Sequence, residues 1–237
     1  MSKGYWDIHN HILPGVDDGS SCQEETLALL EKEYEQGIRN IIFTPHHRSH
    51  MFEVPADDRE MVYRRVVGQA KDMFPDMSFY LGCEYFADSR MMRNFRDPRY
   101  RMAGTRIVLL EFSTVTSFQD IQNAVKAVTD AGYRIVMAHP ERYQCLYSDL
   151  NRVERLKKQG IWLQINAGSV IGKSGRMVKH FCHDLLKEDL ADFIASDAHG
   201  ITHRPVEMER CMRFVQKKFS RGKAERLFRE NQMHLFV

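Results

Sequence analysis

Several familiar signals are missing from this 237-residue sequence. Its five cysteines (Cys22, Cys83, Cys145, Cys182 and Cys211) are scattered, odd in number and never at CxxC spacing, which argues against a disulfide framework and a zinc knuckle. No apolar run approaches the roughly 18–20 residues of a membrane span. The N-terminus lacks the basic-then-apolar order of a secretory signal, so a cytoplasmic protein is expected, with no membrane insertion. Positive and negative side chains nearly balance, at a formal net charge of +2, which makes no electrostatic case for nucleic acid as a partner. There is no linker, low-complexity tract or shift of composition, and one domain spanning 1–237 is expected. With 43% hydrophobic and 28% charged residues, the chain can bury a substantial core and remain well solvated outside.

What is present is a rhythm. Short β-rich runs, read at 5–9, 40–44, 78–84, 106–111, 134–138, 162–166 and 192–196, alternate with stretches whose apolar residues recur at helical spacing. "SCQEETLALLEKEYEQG" opens with a candidate serine cap and closes on Gly37. "TSFQDIQNAVKAVTDAG" closes on Gly132 and "DLNRVERLKKQG" on Gly160. Strand, helix, glycine and strand in repetition read as βα units feeding a parallel sheet or barrel.

The polar residues fall at one place in each repeat. Six of the seven strands finish on a histidine or carboxylate: "HNH" (His9, His11), "TPHH" (His46, His47), "GCEY" (Glu84), "LLEF" (Glu111), "MAHPER" (His139) and "ASDAHG" (Asp197, His199). In α/β barrels the C-terminal ends of the strands form the active-site face, because side chains from several strands converge there. His9 and His11 are two apart on an extended segment and share a face, and Asp197 and His199 repeat the arrangement. Cys83 should point the other way from Glu84, into the core. The convergent set is His9, His11, Asp18, His46, Glu84, Glu111, His139, Asp197 and His199. Five imidazoles and four carboxylates exceed the needs of one ion, so a multinuclear site is expected. Nitrogen and oxygen donors without thiolate suit Mn²⁺, Fe or Zn²⁺. A lone histidine is by default a surface or core residue, and His50, His180, His183, His203 and His234 keep that default.

In this order the motifs resemble the polymerase and histidinol phosphatase (PHP) family of metal-dependent phosphoesterases over essentially the whole chain. "DIHNHILPGVDDGS", "TPHH" followed by "MFE", "AHPERY" and "ASDAHGITHRP" are similar, more narrowly, to the bacterial PHP protein-tyrosine phosphatases of capsule and exopolysaccharide synthesis. The resemblance implies a distorted seven-stranded (β/α) barrel, TIM-like, with three divalent metals per chain, manganese before iron or zinc. It implies His9, His11, Glu84 and Asp197 on one metal. Glu84 would bridge to a second, completed by Glu111 and His139. Asp18, His46 and His199 would hold the third. Asp17 and His47 stand open as replacements for Asp18 and His46. It assigns Arg142 and Arg204 to phosphate binding or transition-state stabilisation. It implies a phosphotyrosine protein as substrate, a tyrosine kinase of polysaccharide export, attacked by a metal-bridging hydroxide. A small-molecule phosphatase of the histidinol-phosphate type and a catalytically idle metal-binding module are the competing readings.

Three divalent ions against four carboxylates leave a net charge of about +2, suited to a phosphate monoester near its dianion. No cysteine precedes an arginine at C-x5-R spacing, Cys83 and Arg90 being one residue too far apart, so a thiolate nucleophile is not expected. "GSVIGKS" lacks one residue of a Walker loop and is read as a loop after the sixth strand. Asp17 and His47 are candidate general acids by proximity alone. Met51 and Phe52 are placed in a loop beside the site, where they can line a rim that accepts an aromatic group. The basic segment from Arg213 to Glu230 is read as a solvated helix pair.

Overall fold

A computed structural model describes residues 4–88, 90 and 96–236. Its strands, in chain order, are β1 (Tyr5–Asp7), β2 (Ile38–Phe43), β3 (His46–His47), β4 (Ser78–Leu81), β5 (Glu84–Phe86), β6 (Ile107–Glu111), β7 (Arg134–Ala138), β8 (Trp162–Asn166) and β9 (Phe193–Ala195). Every ladder is parallel, in the orders β1-β2-β4 and β3-β5-β6-β7-β8-β9. Two of the seven expected strands are therefore each broken in two. The first break falls at Thr44-Pro45, where proline has no N–H to give the ladder. The second falls at Gly82-Cys83. Hydrogen bonding crosses both gaps: Gly82 N donates to Phe43 O at 2.7 Å and Glu84 N to Pro45 O at 3.1 Å. Beyond β1, Asp197 N donates to His9 O and His11 N to Ala198 O, both at 2.8 Å, and Asn10 bridges Ala198 in parallel. Thr44 N donates to Asn10 O at 3.1 Å, so residues 9–11 lie between extensions of β2 and β9.

The principal helices are α1 (Gln23–Glu35), α2 (Ala56–Met73), α3 (Phe118–Asp130), α4 (Leu150–Lys158), α5 (Ala167–Ile171), α6 (Arg176–Lys187) and α7 (Met208–Lys218). Ser117 caps α3 through Asp120 N and Asp149 caps α4 through Arg152 N. The stop glycines behave as their positions require: Gly37, Gly132 and Gly160 have φ of 87°, 81° and 79°. Two expectations fail. α1 begins after Cys22 with no side-chain cap, because Ser20 instead bonds Cys22 O and Thr26 Oγ1, each at 2.9 Å, and Ser21 turns to Glu25. "GSVIGKS" is not a loop: its first residues complete the turn of α5, which ends on Gly172 at φ 97°. The C-terminal basic segment is helical, yet Val215, Ala224, Leu227 and Phe228 are buried, so one face is packed rather than solvated.

The period-2 alternation of the strands sorts the core. Val108, Leu110, Ile135, Met137, Leu163, Ile165 and Ile194 pack outward in the large cluster under the helices. Ile107, Leu109, Val136, Ala138, Phe193 and Ala195 pack together in a smaller inner cluster with Ile8 and Ile42. One step further along the same inner face stand Glu111, Gln164, Asn166 and Asp197. An apolar floor and a polar top follow from one alternation.

Two carboxyls lie fully buried beside this floor, Asp7 of β1 and Glu33 of α1. Asp7 accepts from Ser196 N (2.9 Å), Ser196 Oγ (2.7 Å) and Asn10 Nδ2 (3.0 Å). Burial, and then the adjacent Asp7, push the Glu33 carboxyl well above the ordinary range. A raised acid binds in the folded state a proton that the unfolded chain releases, so its contribution falls as pH rises past about 4.3. Glu33→Gln keeps the shape and removes the titration. Thermal melts should show the variant more stable than the parent at pH about 8, with the advantage shrinking towards pH about 4.5. A destabilisation equal at both pH values would show that Glu33 is not held protonated.

Candidate metal centre

The nine residues expected from the sequence meet in one pocket at the C-terminal ends of the strands. Glu84 is its hub. Its Oε2 lies 3.2 Å from Nε2 of both His9 and His11 and 2.9 Å from His46 Nδ1, while its Oε1 lies 2.9 Å from His139 Nε2. Glu111 stands 3.5 Å from His46 Nδ1 and 3.8 Å from His139 Nε2. Asp197 Oδ1 is 3.4 Å from His11 Nε2 and 3.6 Å from His9 Nε2. Asp18 Oδ1 is 3.6 Å from Nε2 of both His46 and His199.

The donor atoms draw together most tightly in three overlapping groups: His9, His11 and Glu84; His46, Glu84 and Glu111; and His11, Asp18, His46 and His199. This partition differs in detail from the one implied by the resemblance. His46 stands with Glu84 and Glu111 alongside His139, and His11 joins the Asp18 group. Asp197 is outside all three: its Oδ2 is engaged by Asn166 Nδ2 at 2.5 Å and by the Arg204 guanidinium, while its Oδ1 faces His9 and His11.

Side-chain direction separates Asp17 from Asp18 and His47 from His46. Asp17 lies behind the pocket: its Oδ2 accepts from His11 Nδ1 at 2.7 Å and His46 N at 2.9 Å, and its Oδ1 from Gly19 N at 3.0 Å. That bond favours a proton on Nδ1 and turns Nε2 to the cluster, where it could coordinate an ion that displaces its proton. Asp18 has a half-exposed carboxylate facing His46 and His199. The turn is so close that a Cβ on Gly19 would stand 1.7 Å from His11 O, so glycine is required there. His47 alternates with His46 to the other side of β3 and packs on Tyr85 and Tyr100, with ring centroids 5.0 and 4.5 Å away. Neither Asp17 nor His47 faces the pocket as a general acid should.

Sequence reasoning missed the groups that hold the ligands. Gln164 Oε1 sits 2.7 Å from His9 Nδ1 and fixes its ring as Asp17 fixes that of His11. Gln164 Nε2 donates to Asn166 Oδ1 at 2.9 Å, and Asn166 N donates to Glu141 Oε1 at 3.0 Å. The available signal was two amides at alternate positions of an otherwise apolar strand. His139, Asp197 and Arg204 also adopt left-handed backbone, at φ of 31°, 52° and 52°. Such conformations cost on the order of 1–3 kcal/mol each and gather at functional sites.

The charge balance of the pocket suits a cation. Burial opposes a charged ring at His9, but Glu84 and Asp197 overcome it and raise its pKa. His11 is raised further, with Asp17 the main counterweight to burial. The same contacts hold Glu84 and Asp197 well below the carboxylate range despite burial. Burial and then Glu84 push Glu111 up to about 7. His46 Nδ1, Glu84 Oε2, Glu111 Oε2 and Asp197 Oδ1 are buried without a hydrogen-bond partner although they crowd together. Atoms so placed fit the coordination of hard or borderline divalent ions. Arg142, in the turn after His139, reaches within 3.7 Å of Asp197 Oδ2. Arg204 pairs with Asp197 and donates to His199 Nε2 at 2.8 Å. No thiol competes: Cys83 packs in the core, and burial pushes it up to about 12.

The fold superposes on the Escherichia coli phosphotriesterase homology protein at TM-score 0.64 and 14% identity, over 100% of both chains. The chain belongs to the CpsB/CapC family of capsular polysaccharide synthesis, whose sequence profile matches residues 5–237. It is 33% identical to the tyrosine-protein phosphatase CpsB of Streptococcus pneumoniae over 237 residues, 98% of each chain, and 33% identical to CpsB of Streptococcus agalactiae over 95% of each. A crystal structure described among those of YwqE from Bacillus subtilis and CpsB from S. pneumoniae, as metal-dependent tyrosine phosphatases, matches at TM-score 0.83 and 28% identity, over 92% of this chain and 89% of that one. No helix among the described residues is long and apolar enough to cross a membrane.

The Asp17–His11 bond supplies a direct test. Supporting carboxylates of ligand histidines typically contribute about 10–100-fold to metal affinity. Asp17→Asn should weaken Mn²⁺ binding by that order in calorimetry, with the circular dichroism spectrum unchanged. Unaltered affinity would mean that His11 needs no such support.

Proposed function

We propose that this chain is a metal-dependent protein-tyrosine phosphatase, built on a distorted seven-stranded (β/α) barrel over 1–237 that closes where residues 9–11 meet 197–198. His9, His11, Asp18, His46, Glu84, Glu111, His139, Asp197 and His199 hold three divalent ions in this reading, Mn²⁺ before Fe or Zn²⁺. The substrate is a phosphotyrosine of a bacterial tyrosine kinase of polysaccharide export, met in the cytoplasm. The observation that carries the proposal is the convergence of two guanidinium groups, Arg142 and Arg204, on a pocket where His139 and Asp197 adjoin seven clustered nitrogen and oxygen donors. The names of the family relatives support the phosphotyrosine specificity.

When bound, divalent ions neutralise phosphoryl charge and lower the pKa of water to supply a nucleophile. The chain does the rest. Arg142 and Arg204 stand at the mouth, where planar forks can grip two phosphoryl oxygens. Gln164 and Asp17 keep the His9 and His11 rings turned inward. No acid points at the leaving oxygen from Asp17 or His47, which matters less for an aryl ester: a phenol of pKa about 10 departs as its anion far more readily than an alcohol.

The test is a substrate panel on the Mn²⁺-loaded protein, with phosphotyrosine peptides set against phosphoserine peptides, histidinol phosphate and nucleotides. Hydrolysis of phosphotyrosine that is lost to a chelator, restored by Mn²⁺ and indifferent to thiol alkylation is the expected result. Arg142→Ala and Arg204→Ala should each lower kcat/KM by about 10²-fold, about 2.7 kcal/mol, with lysine restoring only part. Preference for histidinol phosphate would move the assignment to small-molecule hydrolysis. Inactivity on the whole panel with metal bound would leave a binding module.

A further inference from the structure

We infer that Phe52 is a specificity residue that reads the aromatic leaving group. The inference rests on the phosphatase reading of the pocket and names what selects its substrate. The His46 ring, central to two of the three donor groups, packs against two other rings. The His11 ring lies tilted against it, with centroids 4.2 Å apart, and Phe52 stacks on it at 5.3 Å with an interplanar angle of 10°. Phe52 is therefore an aromatic surface at the margin of the cluster itself.

The backbone fixes it there. Arg48 N donates to Phe52 O at 3.0 Å and Phe52 N to Arg48 O at 2.9 Å, closing a tight hairpin that begins directly after β3. His50 takes the left-handed position of that hairpin at φ 64°. The Arg48 guanidinium lies 4.1 Å from the centroid of the Phe86 ring at the end of β5, so the hairpin stem is tied to the sheet. Phe52 itself is only partly buried, and Met51 beside it is 59% exposed. One exposed apolar residue is ordinary, but here two consecutive ones stand beside a strongly polar pocket.

An aryl phosphate carries its ring on the ester oxygen, so a phosphoryl group gripped by the cluster and the two arginines places that ring at the margin of the pocket. Offset or edge contacts between rings form at centroid separations of about 4.5–7 Å, which Phe52 can reach. A serine phosphate brings only a methylene and gains nothing from the ring. Phe52 thus distinguishes aryl from alkyl esters without touching the reacting atoms.

The experiment separates this role from mere support of His46. Phenylphosphonate and methylphosphonate present the same anion with and without a ring and are not hydrolysed. Their affinities for the Mn²⁺-loaded protein are measured by calorimetry for the parent, Phe52→Leu and Phe52→Trp, together with metal content. The parent should bind phenylphosphonate more tightly. Phe52→Leu, which keeps apolar bulk over His46, should reduce that preference about ten-fold, or about 1.4 kcal/mol, with methylphosphonate affinity unchanged. Phe52→Trp should retain the preference. Equal losses for the two phosphonates in Phe52→Leu, or loss of the preference in Phe52→Trp, would overturn the inference. A parent protein that prefers phenylphosphonate but hydrolyses no phosphotyrosine would instead count against the phosphatase reading alone.

Discussion

Everything at the top of this sheet depends on one carboxylate. Glu84 is fully buried and lies within 3.2 Å of His9, His11, His46 and His139. A buried carboxylate is costly unless positive charge or hydrogen bonds meet it. With Glu111 and Asp197 close by, protons on His9 and His11 can offset part of that charge, and divalent ions can offset more. Ions must displace those protons, so occupancy of the pocket rises with pH through the range in which the histidines titrate. The same crowding would be a defect in an ordinary core. It fits a site built around cations.

Such a site needs a rigid frame, and the frame is a seam rather than a single strand. Asp7 binds the backbone and hydroxyl of Ser196 and the amide of Asn10, while Thr44 and Asn10 exchange further bonds. These contacts join the residues that follow β1 to those that follow β2 and β9. His9 and Asp197 flank the seam, which accounts for how Asp197 can be held at φ 52°. Strain at such a residue is tolerable where several surrounding bonds determine its position. The break at Pro45 serves the same end: it interrupts β2 without shifting its partner, so His46 still falls opposite Glu84.

The sequence made the strand–helix alternation legible because apolar periodicity and stop glycines are local signals. It also made the convergent histidines and carboxylates legible, because such residues at strand ends stand out against apolar strands. Three kinds of feature were hidden. The split strands depend on how Pro45 and Gly82 meet a neighbouring strand, which no local window contains. The helix α5 was obscured by a glycine-rich string that resembles a loop. Asp17, Gln164 and Asn166 act on ligands from other elements, and their residue types alone do not reveal that role. The grouping of donor atoms was the least legible, since overlapping groups in a shared pocket are set by ångström differences that spacing does not encode.

Asp17 and His47 both point away from the pocket, so in the proposed reaction neither would protonate the leaving oxygen, and charge stabilisation alone would be selective. Arginine forks and cations lower the barrier for any phosphate monoester by meeting the charge of the phosphoryl oxygens. They do less for the leaving oxygen, whose departure then depends on its own basicity. A phenol needs little help there and an alcohol needs a proton. Chemical discrimination of this kind would favour aryl esters even without a contact to the ring. An aromatic surface at the margin, where Phe52 stands on His46, adds recognition to reactivity. The two act at different atoms of the substrate, one at the ester oxygen and one at the ring face, so their effects on selectivity multiply.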